Sequence, residues 1–272
     1  MHRGVPLRTL LEEAGIAAKE RVFDKDLDLA VVVRGQGDER VVLSWGELYY
    51  RNPAEVLLAF RSEPLMPHKR CDQCHEKEVF QPRLDMLERT VPIPKLIVSH
   101  DGHSDRAIEG VTSVEVVDLG AGRGISVAKA DRPADIRADV IEIRRDGEPV
   151  ATVSDISGLA RHEAVVMMVG DGIGFHGPRR FEGVSLAAVL DRAGVTPDPA
   201  QAFLLSARDG YRVLFSAGEI FLAPDGREIL LADRKDGEPL TDSGRFQLLP
   251  VNDQSADRWL KAVARIDVLT AP

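Results

Sequence analysis

The strongest constraint on how this chain folds is that it repeats itself. Gly4-Val5-Pro6-Leu7-Arg8-Thr9-Leu10-Leu11-Glu12-Glu13-Ala14-Gly15-Ile16 has a counterpart in Gly183-Val184-Ser185-Leu186-Ala187-Ala188-Val189-Leu190-Asp191-Arg192-Ala193-Gly194-Val195. Leu7, Leu10, Leu11 and Ala14 have the spacing of one helix face, and Gly15 stands where a helix stops. Leu186, Val189, Leu190 and Gly194 repeat the pattern. Each helix is short and one-faced, so each must pack on something else. A strand-rich block follows both. Leu29 to Val33, Val41 to Leu43 and Ser44-Trp45-Gly46-Glu47-Leu48 correspond to Phe203 to Ala207, Val213 to Phe215 and Ser216-Ala217-Gly218-Glu219-Ile220. Hairpin turns are expected over 34–39 and at Arg208-Asp209-Gly210-Tyr211. Val56 to Ala59 corresponds to Ile229 to Ala232, and Asp105 to Val116 corresponds to Asp257 to Val268, each of these last stretches beginning with a short helix. A duplication of this extent predicts two units of one topology.

The repeat also locates an insertion. The segment between Ala59 and Leu96 is more than twice as long as the one between Ala232 and Leu248. Its centre is Cys71-Asp72-Gln73-Cys74-His75, which contains both cysteines of the 272-residue chain. Cys-x-x-Cys-His is the attachment signature of c-type haem: two thiols add across the porphyrin vinyl groups and the adjacent imidazole turns onto the iron. Added to a surface loop, such a peptide leaves the scaffold intact. Val79, Phe80, Leu84, Met86, Leu87, Val91 and Ile93 offer the apolar shell that a porphyrin needs. Two rivals share the cysteines. A thioredoxin-like pair opens a helix after an apolar strand, whereas here the flanks are His68-Lys69-Arg70 and Glu76-Lys77-Glu78. Zinc could take the two thiolates with two of His68, His75, His100 and His103, although the second paired knuckle common in structural sites is missing.

Composition narrows the setting. A net charge of −9 argues against nucleic acid or an anionic membrane surface as partner. The 44% hydrophobic and 29% charged content is that of a globular protein with a proper core. No apolar run approaches the length of a membrane span. Haem c is attached outside the bacterial cytoplasm, yet Met1-His2-Arg3-Gly4-Val5-Pro6 holds no apolar signal core. An extension upstream of Met1 would supply the export signal. It would also supply what the first unit lacks at its front, for the second is preceded by Val140-Ile141-Glu142-Ile143, the turn Asp146-Gly147-Glu148-Pro149 and the run Ala164 to Val169. The Gly-rich stretch at Gly120-Ala121-Gly122-Arg123-Gly124 lacks the Lys-Ser/Thr ending of a phosphate loop, so residues 119–138 are expected to be a linker.

Residues 139–272 resemble the molybdopterin-binding domain of the sulfite oxidase family. The resemblance is carried by the Asp146 to Pro149 hairpin and by Phe181-Glu182-Gly183-Val184-Ser185-Leu186 leading into Leu190 and Ala193-Gly194-Val195. It continues through Arg208 to Tyr211, Leu230-Leu231-Ala232, Gly237-Glu238-Pro239-Leu240, Gly244-Arg245-Phe246, Arg258-Trp259-Leu260-Lys261 and Ile266-Asp267-Val268. The first unit fits the same pattern more loosely. The resemblance implies an α+β class: two tandem sulfite-oxidase-like mixed β-sheet domains with short helices, over 1–120 (N-terminally incomplete, with the haem-type insertion at 60–95) and 139–272. Members with an active cofactor place a cysteine thiolate on molybdenum just after the strand that here reads Ala164 to Val169. This chain has Met167-Met168-Val169-Gly170 there, and a thioether is a weak substitute for a thiolate on a high-valent metal. Basic residues to grip a pterin phosphate are thin, with Arg179 and Arg180 as candidates. The molybdopterin site is therefore expected to be lost, its pocket between Met168, His176, Arg179 and the Asp209–Tyr211 turn empty or self-filled.

These readings converge on an exported, periplasmic c-type haem protein that transfers electrons to a redox partner protein, or binds a ligand at the haem, on a degenerate molybdopterin-domain scaffold. Cys71 and Cys74 are the expected covalent anchors and His75 the proximal ligand. Met86, inside the insertion, is the first choice for the sixth position, followed by His100 and His103; a thioether suits low-spin iron. The alternatives are a molybdopterin-dependent oxidoreductase or its haem subunit, and a zinc-stapled interaction module without catalysis.

Overall fold

Runs of valine, leucine and isoleucine set the strands, because branched side chains pack well on a pleated surface and lose little freedom there. The computed structural model describes residues 2–15, 25–51, 56–62, 76, 78–79, 81–82, 91–169, 174–241 and 244–272. In the first half the strands are β1 (His2–Pro6), β2 (Ala30–Arg34), β3 (Arg40–Ser44), β4 (Val56–Ser62), β5 (Lys95–Val98) and β6 (Ser113–Val117). In the second they are β7 (Ile141–Arg145), β8 (Glu148–Val153), β9 (Arg161–Val169), β10 (Phe175–Ser185), β11 (Gln201–Ala207), β12 (Arg212–Ser216), β13 (Ile229–Lys235), β14 (Glu238–Pro239), β15 (Gln247–Pro250) and β16 (Val263–Thr270). Helices are few and short: α1 (Leu7–Ala14), α2 (Trp45–Tyr49) and α3 (Leu186–Arg192), with a π-helical turn at Gly218–Leu222. The class is mixed β-sheet with short helices.

The strand pairings of the first half recur in the second. β1-β4-β5 is matched by β10-β13-β15, and β3-β2-β6 by β12-β11-β16. Even the irregularities agree. β1 pairs with β4 through Gly4↔Ala59 with a bulge before Gly4, and β10 pairs with β13 through Gly183↔Ala232 with a bulge before Gly183. A Cβ on either glycine would meet a carbonyl oxygen at 2.2 Å, that of Leu58 or of Leu231. This close backbone approach is why glycine stands at both places. The second half also carries two hairpins. β7-β8 joins its sheet through a parallel β16–β7 pairing, and β9 covers the outer edge of β10.

β2 and β11 are buried on both faces, which is why their sequences run apolar instead of alternating. Val31 and Val33 face a core with Leu7, Leu11, Leu43 and Leu96. Phe203 and Leu205 face the core of the second half with Leu186, Leu190, Phe215 and Ile266. Their reverse sides meet each other. Ala30, Val32 and Val42 pack on Ala202, Leu204, Leu214 and Leu269, so the two three-strand sets stand back to back. Polar ties reinforce the seam: Val42 N–H donates to the Pro199 carbonyl at 2.9 Å, and Arg212 pairs with the buried Asp28 at 3.0 Å.

Sequence and structure differ in several places: the short helix expected at Asp105 is a turn, and two further stretches depart from expectation. Ser44 to Leu48 and Ser216 to Ile220, expected within strand-rich blocks, turn helical after the serine as α2 and the π-turn. The cause is a shared cap. Glu47 N–H donates to Ser44 Oγ at 2.8 Å, and Glu219 N–H to Ser216 Oγ at 3.0 Å, each with the glutamate reaching back to the serine amide. That Ser-x-x-Glu reciprocity is a helix start. Second, the Gly-rich stretch near 120 is tied down: Gly124 N–H donates to Asp267 and its carbonyl accepts from Arg265. No helix among the described residues is long and apolar enough to cross a membrane.

Candidate functional site

Cys71, Cys74, His75 and Met86 lie outside the described residues. The two stems of the segment that carries them are described, and they sit side by side. β4 ends at Ser62, β5 begins at Lys95, and the two strands are antiparallel neighbours with Ala59 opposite Lys95. β1 closes the other side with His2 opposite Ser62. Here the Ser62 hydroxyl and the His2 Nδ1 are 2.9 Å apart. His103 is an exposed residue of the loop after β5, and it shares with His2, Lys95, Ile97 and Ala107 a cleft of about 190 Å³.

His100 is placed differently. Its Nε2 is bound to Glu47 Oε1 at 2.7 Å and its side chain is only 12% exposed. Nδ1 is buried and has no hydrogen-bond partner among the described residues. His100 is thus half-buried and tied through Nε2 to the helix that carries Glu47, a long-range contact that no spacing in the sequence discloses.

Glu47 belongs to a network with near two-fold repetition that spans the seam. Arg106 donates to Glu47 at 2.6 Å and grips Asp101 through two bonds of 2.6 and 2.9 Å. Arg258 donates to Glu219 at 2.7 Å and grips Asp253 through two bonds of 2.6 Å. The serine caps cross over: Ser44 Oγ donates to Glu219 at 2.5 Å, and Ser216 Oγ to Glu47 at 2.8 Å. Gly46 and Gly218 make room, since a Cβ on Gly46 would lie 2.2 Å from Arg258 and one on Gly218 2.1 Å from Arg106. Burial alone would push the Glu47 carboxyl up. Arg106 and His100 outweigh it and hold the group well below the usual carboxylate range. Burial also works against the charge on Arg106 and Arg258, yet the surrounding carboxylates raise both above a free arginine. The two arginines and four carboxylates are all paired, so the network ties the two halves together across the seam.

The residues expected to border a pterin are dispersed. Met168 is buried in β9, while Arg179 pairs with Asp236 at 3.4 Å and Arg180 with Glu163 at 3.4 Å on the surface. The Asp209–Tyr211 turn instead borders a cavity of about 380 Å³ with Lys25, Asp257, Trp259 and Lys261. Tyr211 O–H donates to the Asp257 carbonyl at 2.6 Å, and Lys25 donates to Tyr211 at 3.1 Å. Burial pushes the Tyr211 phenol up, with Asp257 and Asp209 adding to the effect. None of Met168, His176 and Arg179 lines that cavity, which corrects the expected pocket.

No model of a known protein family matches the chain, and no curated protein is significantly similar to it.

Proposed function

We propose that the chain is an exported c-type haem protein that transfers electrons, built on two tandem, degenerate copies of a sulfite-oxidase-type domain. The observation that carries this reading is the Cys71-Asp72-Gln73-Cys74-His75 motif, placed in an insertion between two adjacent strands. Cys71 and Cys74 anchor the porphyrin and His75 is the proximal ligand. The bound haem supplies one-electron redox chemistry, and the chain's own part is to seat it, exclude water and set the axial ligands. The residues around the stems fit such a group. Lys95, Ile97 and Ala107 are half-buried at an open cleft, and two histidines border it. Of the described candidates for the sixth position, His100 bonds Glu47 through Nε2, and His103 is exposed beside the cleft. A periplasmic site and a redox partner protein follow from the same reading.

The test is the visible spectrum of the full chain, fused behind an export leader and produced in a host competent for cytochrome c maturation. About one haem per chain should survive denaturation and acid-acetone extraction. A colourless protein holding one zinc per chain refutes the proposal in favour of a zinc-stapled module. Molybdenum at near one per chain promotes the oxidoreductase reading.

A further inference from the structure

The repeated topology allows the two halves to be compared position by position, and the cavity beside Tyr211 is where they part. The pairing Ala232↔Gln247 matches Ala59↔Lys95, which sets Gln247 on Lys95. Leu248 exchanges backbone bonds with Leu260 where Leu96 bonds Ile108, which sets Trp259 on Ala107 and Lys261 on Glu109. Ala207 N–H donates to the Tyr211 carbonyl as Gly35 N–H does to that of Glu39, so Tyr211 stands on Glu39. The register also carries Phe181 onto His2, since Phe181 lies opposite Lys235 as His2 lies opposite Ser62. In the first half Lys95 and Glu109 bond each other at 3.0 Å, with both side chains mostly buried. The second half has a carboxamide and an ammonium group at these two positions. Gln247 makes no side-chain hydrogen bond among the described residues, although only 4% of it is exposed. A hollow of about 380 Å³ opens where the first half has its ion pair.

That volume lies within the roughly 300–1,000 Å³ of small-molecule pockets. A buried carboxamide left without bonds is costly, and Gln247 lines the hollow, where a bound molecule would satisfy it. Trp259 brings to the same wall an indole N–H that no described residue accepts. Its ring is fixed from behind by Phe181, which it meets edge to face with centroids 5.7 Å apart on the outer face of β10-β13-β15. Tyr211 is a fixed wall too: its O–H donates to the Asp257 carbonyl, and Lys25, 4.9 Å from the ring centroid, donates to its oxygen. Lys25 and Lys261 face Asp209 and Asp257 across the lining. One oxygen of each carboxylate is taken, Asp209 by the Tyr211 amide at 3.0 Å and Asp257 by the Ser255 hydroxyl at 2.5 Å, which leaves the other to accept. Two cations and two anions give the lining no net charge, so an ion of either sign alone would meet as much repulsion as attraction. A molecule that carries both charges close together is matched. Ile136, Ala207 and Leu260 add apolar wall.

We propose that this cavity binds a small zwitterion, an α-amino acid with an apolar or aromatic side chain. Its carboxylate takes the Lys261 ammonium, the Trp259 indole N–H and the Gln247 amide N–H. Its ammonium takes the carboxylates of Asp209 and Asp257 and the Gln247 carbonyl, and its side chain lies against the Trp259 ring, Ile136 and Leu260. The first half keeps the equivalent position closed with Lys95 and Glu109. The site stands independently of the haem reading.

The experiment is calorimetric titration of the full chain with L-phenylalanine and L-leucine. Beside them run N-acetyl-L-phenylalanine, which lacks the ammonium, and L-phenylalanine amide, which lacks the carboxylate. The two amino acids should bind, and each discharged analogue should bind at least about tenfold more weakly, the worth of one hydrogen bond to a charged group. Gln247→Lys combined with Lys261→Glu rebuilds the ion pair that the fold already holds in its first half. It should abolish binding while the far-ultraviolet circular dichroism is unchanged. Lys261→Met, at an exposed position, should weaken phenylalanine at least about tenfold and leave the affinity of the amide as it was. Binding should shift the tryptophan emission of the wild type and not that of Trp259→Phe, because the other tryptophan, Trp45, lies in the core of the first half. No heat from either amino acid at millimolar concentration overturns the proposal. So does a discharged analogue, or the double variant, that binds as tightly as the parent pair. N-acetyl-L-phenylalanine binding more tightly than phenylalanine makes the hollow an anion site and refutes the zwitterion.

Discussion

Replacing Arg258 by methionine tests whether the central network holds the halves together. Arg258 is 1% exposed and makes three short bonds, two to Asp253 and one to Glu219. Its guanidinium also lies 4.6 Å from the Phe215 ring centroid. Methionine nearly preserves the volume, so the cost comes from stranding two buried carboxylates. Breaking a buried pair from one side costs about 3–5 kcal/mol. At about 2–4 °C per kcal/mol for a chain of this size, the melting temperature should fall by roughly 10 °C. Arg106→Met should cost less, because Glu47 keeps His100 as a donor whereas Glu219 keeps only Ser44 and a backbone amide. Urea unfolding, followed by circular dichroism and tryptophan fluorescence, measures both. A cost below about 1 kcal/mol for Arg258→Met, or a larger cost for Arg106→Met, would refute the assignment of the network as a fully paired seam.

Three further outcomes are expected. Gly4→Ala and Gly183→Ala should destabilise by similar amounts in urea titrations, since each new Cβ meets a carbonyl oxygen at the same 2.2 Å; a neutral effect at either site contradicts the close approach. Glu47→Gln should lower stability at neutral pH, and the gap to wild type should close in acid. The folded pKa of Glu47 is depressed, so its contribution is complete above the unfolded carboxylate value near ~4.3 and is lost as pH falls toward the folded one; a gap that widens in acid reverses the sign and sinks the account. Phe181→Ala should cost about 3–5 kcal/mol through the cavity it leaves beside Trp259, whereas His2→Ala at the matching position should change stability by less than about 0.5 kcal/mol in haem-free protein; equal costs would remove the contrast between the two outer faces.

Much of the scaffold was legible because its signals are local. Leucine spacing marked α1 and α3, and Gly15 and Gly194 stop them with positive φ. The matched apolar runs gave β2, β3, β11 and β12. The Ser-x-x-Glu caps were visible as text but were read as strand, since Trp45, Leu48 and Ile220 supply β-compatible side chains and only the reciprocal hydrogen bonds disclose the turn. The network was illegible for a different reason. Its bonds join Ser44 to Glu219 and Ser216 to Glu47 across the full length of the chain, and no spacing rule encodes which serine meets which glutamate. His100 shows the cost of this: it carries a metal-ligand side chain in a histidine-rich loop, and its role is set by Glu47, on a helix distant in sequence.

The seam has a consequence for where the two halves can differ. A residue needed to pair a buried charge cannot be exchanged without stranding its partner, so Ser44, Glu47, Arg106 and their counterparts are fixed by one another. The outer faces carry no such obligation. Phe181 and Trp259 hold theirs chiefly by apolar contact, and an apolar cluster can shrink by one ring at a cost of a few kcal/mol without leaving a buried charge unpaired. The face opposite the seam is therefore where one half can diverge while the other keeps the fold. His2, Ala107 and the insertion stems at Ser62 and Lys95 lie together at that end of the first half, where Asp101, gripped by Arg106, borders the same cleft.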